Sequence, residues 1–234
     1  MLPDHDFPIG ERHKLIPSVY ASCEVKESKI SFSGPTYIAI RSAKHDSSTA
    51  QTHQFDFEKL LELEEFKNSV KDKKGEIKPI LFVAVDGGPD ESPSNYKTLL
   101  AWSHQFRKED IDAIFVFTNA PGLSAYNKVE RRMAPLSKDT SGIILPFDTF
   151  GSHLNSSNKT IDPVLEEKYF KAAGEILADV WSETIIDNYP VVAKYQPPGG
   201  MVEFQELDQQ WIDCHVRQSH YLLHIVKCKY ITCY

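Results

Sequence analysis

The chain has 234 residues, of which 41% are hydrophobic and 25% charged, and a formal net charge of −7. That length allows one large domain or one domain with an appendage, and the composition is that of a globular protein. The acidic balance argues against a free-standing polyanion binder, because displacing counterions from phosphate needs an excess of lysine and arginine. Any contact with DNA must be local, metal-assisted or supplied from outside this chain.

The start, MLPDHDFPIGERHK, lacks the apolar stretch of a secretory leader. No window holds roughly 18 consecutive apolar residues, so no membrane span is expected. Four cysteines without a leader, Cys23, Cys214, Cys228 and Cys233, suit a reducing, intracellular setting.

In chain order, 14–26 reads as a strand or strand pair and 35–41 as an alternating strand. The stretch 47–70 opens with Ser and Thr caps and continues with Phe57, Leu60, Leu61 and Phe66 at helical spacing. Lys71–Gly75 is a charged loop. The run 78–85 is continuously apolar, as in a strand buried on both faces of a sheet, and ends at the turn Asp86-Gly87-Gly88-Pro89. A helix over 93–108 follows, with Tyr96, Leu99, Leu100, Trp102 and Phe106 on its apolar side, then a strand over 111–118 broken by Asn119–Gly122. Ser124 is positioned to cap a helix through Tyr126, Val129, Glu130 and Met133. This alternation of strand and helix predicts an α/β layer with parallel strands.

Beyond it, 143–150 is a short apolar segment with a proline and 153–158 a polar loop. The longest helical pattern covers 163–184, with Pro163 in its first turn and Glu166 and Glu167 near its positive end. Residues 195–210 read as a linker, and 211–227 as a further helix. The expected division is a core over 1–150, a helical extension over 151–194, a linker over 195–210 and a C-terminal helix with a Cys/His tail over 211–234. No internal repeat is visible.

Two acids stand where metal-dependent phosphoryl transfer would need them. Two-metal chemistry requires carboxylates converging on divalent cations that stabilise the attacking and leaving oxygens. In open α/β sheets ligands gather beyond the carboxyl ends of the strands. Asp86 follows the strand 78–85 directly, and Glu130 lies in the helix after the next strand. Read alone, Asp86 is also an ordinary Asp-Gly turn residue, and Glu130, between Lys128 and Arg131, an ordinary solvated helix residue.

The surrounding residues carry a resemblance. Asn119-Ala-Pro-Gly-Leu-Ser-Ala-Tyr-Asn-Lys-Val-Glu-Arg-Arg-Met133 resembles the segment around the last acid of ISAzo13-type DDE transposases, and Val85-Asp-Gly-Gly-Pro89 is similar to the segment carrying their second acid. The identities lie in 83–91 and 119–137. The resemblance implies an incomplete ribonuclease-H-like mixed sheet flanked by helices, with a helical C-terminal extension. It implies Asp86 and Glu130 as ligands of Mg2+ or Mn2+, and Asn127, Lys128, Arg131 and Arg132 as DNA-contacting residues. The parent chemistry would be DNA strand cleavage and transfer, in the nucleus if functional. The alternative is a non-catalytic DNA- or protein-binding module retaining the fold.

In that pattern the first acid sits on a strand before 14–41. Only thirteen residues precede Lys14, and Asp4 and Asp6 among them are flanked by Pro3 and Pro8 without an apolar run. The first acid is therefore expected to be missing, leaving the chain inactive and an exposed sheet edge that calls for a protein partner or self-association. An active nuclease recruiting Asp4, Asp6 or Asp90 instead is a further reading.

Three of the cysteines lie within 214–234. Cys214, His215, His220 and His224 precede Cys228 and Cys233, whose spacing suits zinc, and His220 and His224 would share one helix face. Reduced cysteines without metal are the alternative.

Overall fold

The computed structural model describes residues 7–10, 13–123, 126–146 and 149–229. The elements, in order, begin with β1 (Phe7–Gly10), β2 (His13–Ala21), β3 (Val25–Lys26), β4 (Lys29–Ile30) and β5 (Thr36–Ser42). There follow α1 (Ala50–Glu62), a 3-10 turn at Glu64–Phe66, α2 (Lys67–Val70), β6 (Ile80–Val85), α3 (Tyr96–Lys108), β7 (Ala113–Thr118) and α4 (Glu130–Asp139). The chain ends with α5 (Pro163–Ser182), β8 (Ile185–Ile186), β9 (Tyr189–Tyr195), α6 (Gln209–His215), β10 (Val216–Gln218) and β11 (Leu222–Val226). This is a mixed α/β chain. Its contacts divide it into two units, Met1–Ser47 with Arg131–Gly200, and Ser48–Glu130 with Met201–Tyr234. The boundaries expected at 150, 194 and 210 do not coincide with that division.

The first unit is built on a five-stranded sheet in the order β1-β2-β5-β9-β8. β5 is its centre: all seven residues of Thr-Tyr-Ile-Ala-Ile-Arg-Ser are buried, antiparallel to β2 on one side and parallel to β9 on the other. β9 begins within a stretch for which no strand was expected and ends where a linker was. α5 lies against the sheet, and Phe170, Ala173, Leu177 and Trp181 meet Leu15, Ile38, Ile40 and Val191 in one apolar core. The helix starts as its sequence dictates: the Asp162 side chain accepts from Leu165 N, and Pro163 occupies the first turn. The Tyr195 ring lies against Gly174, where a Cβ would overlap it.

The second unit holds a four-stranded sheet, β10-β11-β7-β6. β6 and β7 are parallel, joined through α3, and β11 runs antiparallel along the far side of β7. Leu99 and Phe106 of α3 and Trp211 of α6 pack with Val85, Ile114, Val116, Leu223 and Ile225. α1 begins with a reciprocal capping box between Thr49 and Thr52. The stretch after β9 is packed rather than a free linker: Leu207 joins this core, and Val202 N donates to Gln51 O.

Four expectations are corrected. Among the described residues the strands form three sheets, not one parallel layer. β6 is an edge strand with one open face, Ile80 and Phe82 being 51% and 71% exposed, rather than a strand buried on both sides. The helix expected from 124 begins at Glu130, and Ser124 lies outside the described residues. The helix expected over 211–227 stops at His215 and gives way to the β10–β11 hairpin. Over a short apolar run such as Leu-Leu-His-Ile-Val, helical and strand periods fit equally well. Pairing with the edge of β7 decides the matter, because it satisfies a row of backbone groups.

Gly174→Ala is expected to destabilise the chain by about 1–3 kcal/mol in urea unfolding, the overpacking cost exceeding the gain in helix propensity. In a Tyr195→Ala background that cost is expected to vanish.

Candidate carboxylate and histidine site

The loop after β6 brings three acids together. Asp86 is exposed at the strand end, and its Oδ1 accepts from Gly88 N at 2.8 Å. Gly87 has φ +85°, a conformation side chains rarely adopt, and a Cβ there would stand 2.5 Å from Thr118 Oγ1. At Gly88 a Cβ would stand 2.9 Å from Asp90 Oδ1 and 3.3 Å from Asp86 Oδ1. The Gly-Gly pair therefore lets the chain turn tightly and lets two carboxylates flank it closely.

The opposing charge comes from α1. His53 Nε2 lies 3.0 Å from Asp90 Oδ2 and 2.8 Å from Ser48 Oγ, and its Nδ1 lies 3.7 Å from Glu91 Oε1. Burial alone would lower the His53 pKa. The hydrogen bond to Asp90 and the charges of Glu91, Asp90 and Asp56 outweigh it, so the pKa is raised. The hydrogen bond from His53 holds Asp90 down to about 2 against its burial. Glu91 is pushed up to about 7, chiefly by burial and further by the charge of Asp86 and their hydrogen bond. Glu91 thus lies beside the His53–Asp90 ion pair that anchors the loop to α1. A carboxyl group titrating near neutrality is suited to proton transfer.

Glu91 is a carboxylate of the same loop on which the charge of Asp86 acts. Glu130 is half-buried as the first residue of α4, where its charge complements the positive helix end. Asn127 is buried, and its Oδ1 accepts from Val129 N at 3.4 Å. Lys128 is half-buried. The Arg131 guanidinium sits 3.9 Å over the Phe32 ring. Arg132, expected to face DNA phosphate, is turned inward instead: it is 1% exposed and donates to Gly34 O, Phe32 O, Ser22 O and Thr36 Oγ1. These acceptors lie on both sides of the β3–β4 hairpin, which only the folded chain brings within reach.

Of the expected zinc ligands, Cys228 is half-buried and Cys233 lies outside the described residues, as do Asp4 and Asp6. His220 and His224 do not share a helix face. His224 is on β11 with its ring edge-on to Phe115, and His220 precedes that strand. Among the described residues, no three His, Cys, Asp or Glu side chains form a ready group for a metal ion. No described helix is long and apolar enough to cross a membrane. Compared with protein-family models, curated proteins and solved structures, the chain matches none of them.

Sequence reading missed His53 and Glu91. The string Asp86-Gly-Gly-Pro-Asp-Glu91 was the available signal, since three acids in six residues require a counter-charge. Nothing in the sequence says that a histidine 37 residues before Asp90 supplies it.

A raised His53 pKa means stability that is present below the unfolded value and lost as pH rises through the folded one. A raised Glu91 pKa acts in the same direction, removing stability as pH rises from 4.5 to about 7. Depressed Asp90 gives a separate acid limb, with stability lost as pH falls toward about 2. Urea unfolding over a pH series from about 5 to 9 is expected to show stability declining through neutrality. Glu91→Gln, which cannot ionise, is expected to flatten that decline.

Proposed function

We propose that this chain is a transposable-element-derived, DDE-transposase-like domain whose parent chemistry is metal-dependent DNA strand cleavage and transfer. One observation carries the reading. Asp86 is the first residue after β6, β7 is the parallel neighbour of β6, and Glu130 opens α4, the first described α-helix after β7. Acids of a ribonuclease-H-like site need that order, because strand ends and the following helix can present them on one side of the sheet.

The donor set suits a hard divalent cation. Asp86 and Glu91 are oxygen donors of one loop, and the Glu91 carboxyl, pushed up to about 7, holds a proton that a cation's charge would replace. Mg2+ is commonly held by one or two carboxylates, with water and phosphate oxygens completing its shell. Bound there, Mg2+ or Mn2+ would polarise a phosphoryl oxygen as a Lewis acid. Within the chain itself, Asp86 binds, Glu91 exchanges a proton near neutrality, and the His53–Asp90 pair fixes the loop carrying both.

A second reading, a non-catalytic DNA- or protein-binding module, is favoured by a different observation. Arg132, expected to contact DNA, is committed to backbone carbonyls. The two readings differ in turnover, not in cation binding.

Calorimetric titration with Mn2+ is expected to show binding that Asp86→Asn and Glu91→Gln each weaken by about tenfold or more, roughly 1.4 kcal/mol. Binding indifferent to both changes would remove the metal reading. Mn2+-dependent nicking of supercoiled DNA that Asp86→Asn and Glu130→Gln abolish selects the catalytic reading. Binding without nicking selects the module.

A further inference from the structure

In the second unit the segment before α6 borders a cavity on α3. Glu203, Gln205 and Leu207, every second residue of that segment, line one wall. Leu100, His104, Arg107 and Lys108 recur at helical spacing along α3 and line the other. The space between them is about 330 Å3, within the range of small-molecule sites. The segment is held at several points. Val202 N donates to Gln51 O, Tyr96 Oη donates to Glu206 Oε2 at 2.7 Å, and Leu207 packs against the apolar core.

The charges on the two walls differ in their commitments. Lys108 Nζ is taken by Glu58 Oε1 at 2.7 Å, and His104 Nε2 lies 3.6 Å from the same oxygen. The side chains of Arg107 and Glu203 are exposed, and among the described residues neither has a hydrogen-bond or ion-pair partner. They do not pair with each other. The Arg107 guanidinium lies over the Trp211 ring, 4.3 Å from its centroid. Stacking through its face orients the planar fork and leaves its N–H edge for an acceptor. Such an edge matches a carboxylate with two parallel hydrogen bonds. Glu203 offers the complement, an anion for an ammonium group. Two opposite charges thus face one cavity that Leu100 and Leu207 also line.

We propose that this cavity binds a free α-amino acid with an apolar side chain. Its carboxylate pairs with Arg107, its ammonium with Glu203, and its side chain lies on Leu100 and Leu207. Gln205 adds a hydrogen-bonding group beside them. Both charged groups of an amino acid sit on one carbon, so one small ligand bridges the two walls. A ligand with a single charge leaves one wall unanswered, and a polyphosphate is repelled by Glu203. The site uses none of the residues of the metal reading and stands or falls independently of it.

Calorimetric titration of the full chain with L-leucine is expected to show saturable one-site binding. Amide shifts in the NMR spectrum are expected to concentrate in 100–108 and 203–207. Isocaproate, which lacks the ammonium, and isoamylamine, which lacks the carboxylate, are each expected to bind about tenfold or more weakly. Arg107→Gln is expected to weaken L-leucine and isocaproate by about tenfold or more and to leave isoamylamine unchanged. Glu203→Gln is expected to weaken L-leucine and isoamylamine and not isocaproate. Circular dichroism checks that each variant is folded, and the three ligands on the unaltered chain decide the matter if one is not. No binding of L-leucine at about 10 mM, analogues that bind as well as L-leucine, or variants that affect all three ligands alike overturn the proposal.

Discussion

Charge inside a folded chain must be neutralised or fully hydrogen-bonded, and that constraint ties together segments of this protein that apolar packing alone would leave loose. In the first unit Arg132 enters the interior, and the carbonyls of Ser22, Phe32 and Gly34 accept from it. Those carbonyls lie before and after the β3–β4 hairpin, so one guanidinium closes the hairpin's base. Glu166 does the equivalent at the start of α5, taking Lys44 Nζ and Thr160 Oγ1 at 2.6 Å each and lying 3.2 Å from His45 Nε2. Its position in the first helical turn adds the favourable helix-end field. In the second unit His53 plays the corresponding part for Asp90 and Glu91.

The same constraint shapes the candidate site. Three acids within six residues would repel one another and distort the loop if all were ionised. The structure answers with His53, whose pKa is raised, and with the Glu91 carboxyl, pushed up to about 7. In the reading proposed above, a divalent cation arriving at the loop would displace the Glu91 proton, which links the loop's geometry to phosphoryl transfer.

Backbone hydrogen bonding is the second organiser. β5 is covered on both sides and both faces, which is why its seven residues are all buried. β7 gains β11 on one side and β6 on the other, so its apolar residues are also largely inside. Among the described residues, β6 has equally apolar residues but one neighbouring strand, β7, and one covered face.

Much of the local structure was legible in the chain itself. β5, β6, α3, β7 and α5 stand close to where periodicity and caps put them, because Asn95, Asp162 and the Thr49–Thr52 box satisfy helix ends within a few residues. Asp86 at a strand end follows from the same local grammar. What tertiary structure alone decided was which edges pair and which charges meet. A strand's partner is chosen among all free edges in the fold, so β9 beside β5 and β11 beside β7 could not be read from their own residues. Glu91 against Asp86, His53 against Asp90 and the inward turn of Arg132 depend on contacts across 5, 37 and about 100 residues. The last two separations exceed the reach of sequence spacing, and the first depends on burial, which no spacing encodes.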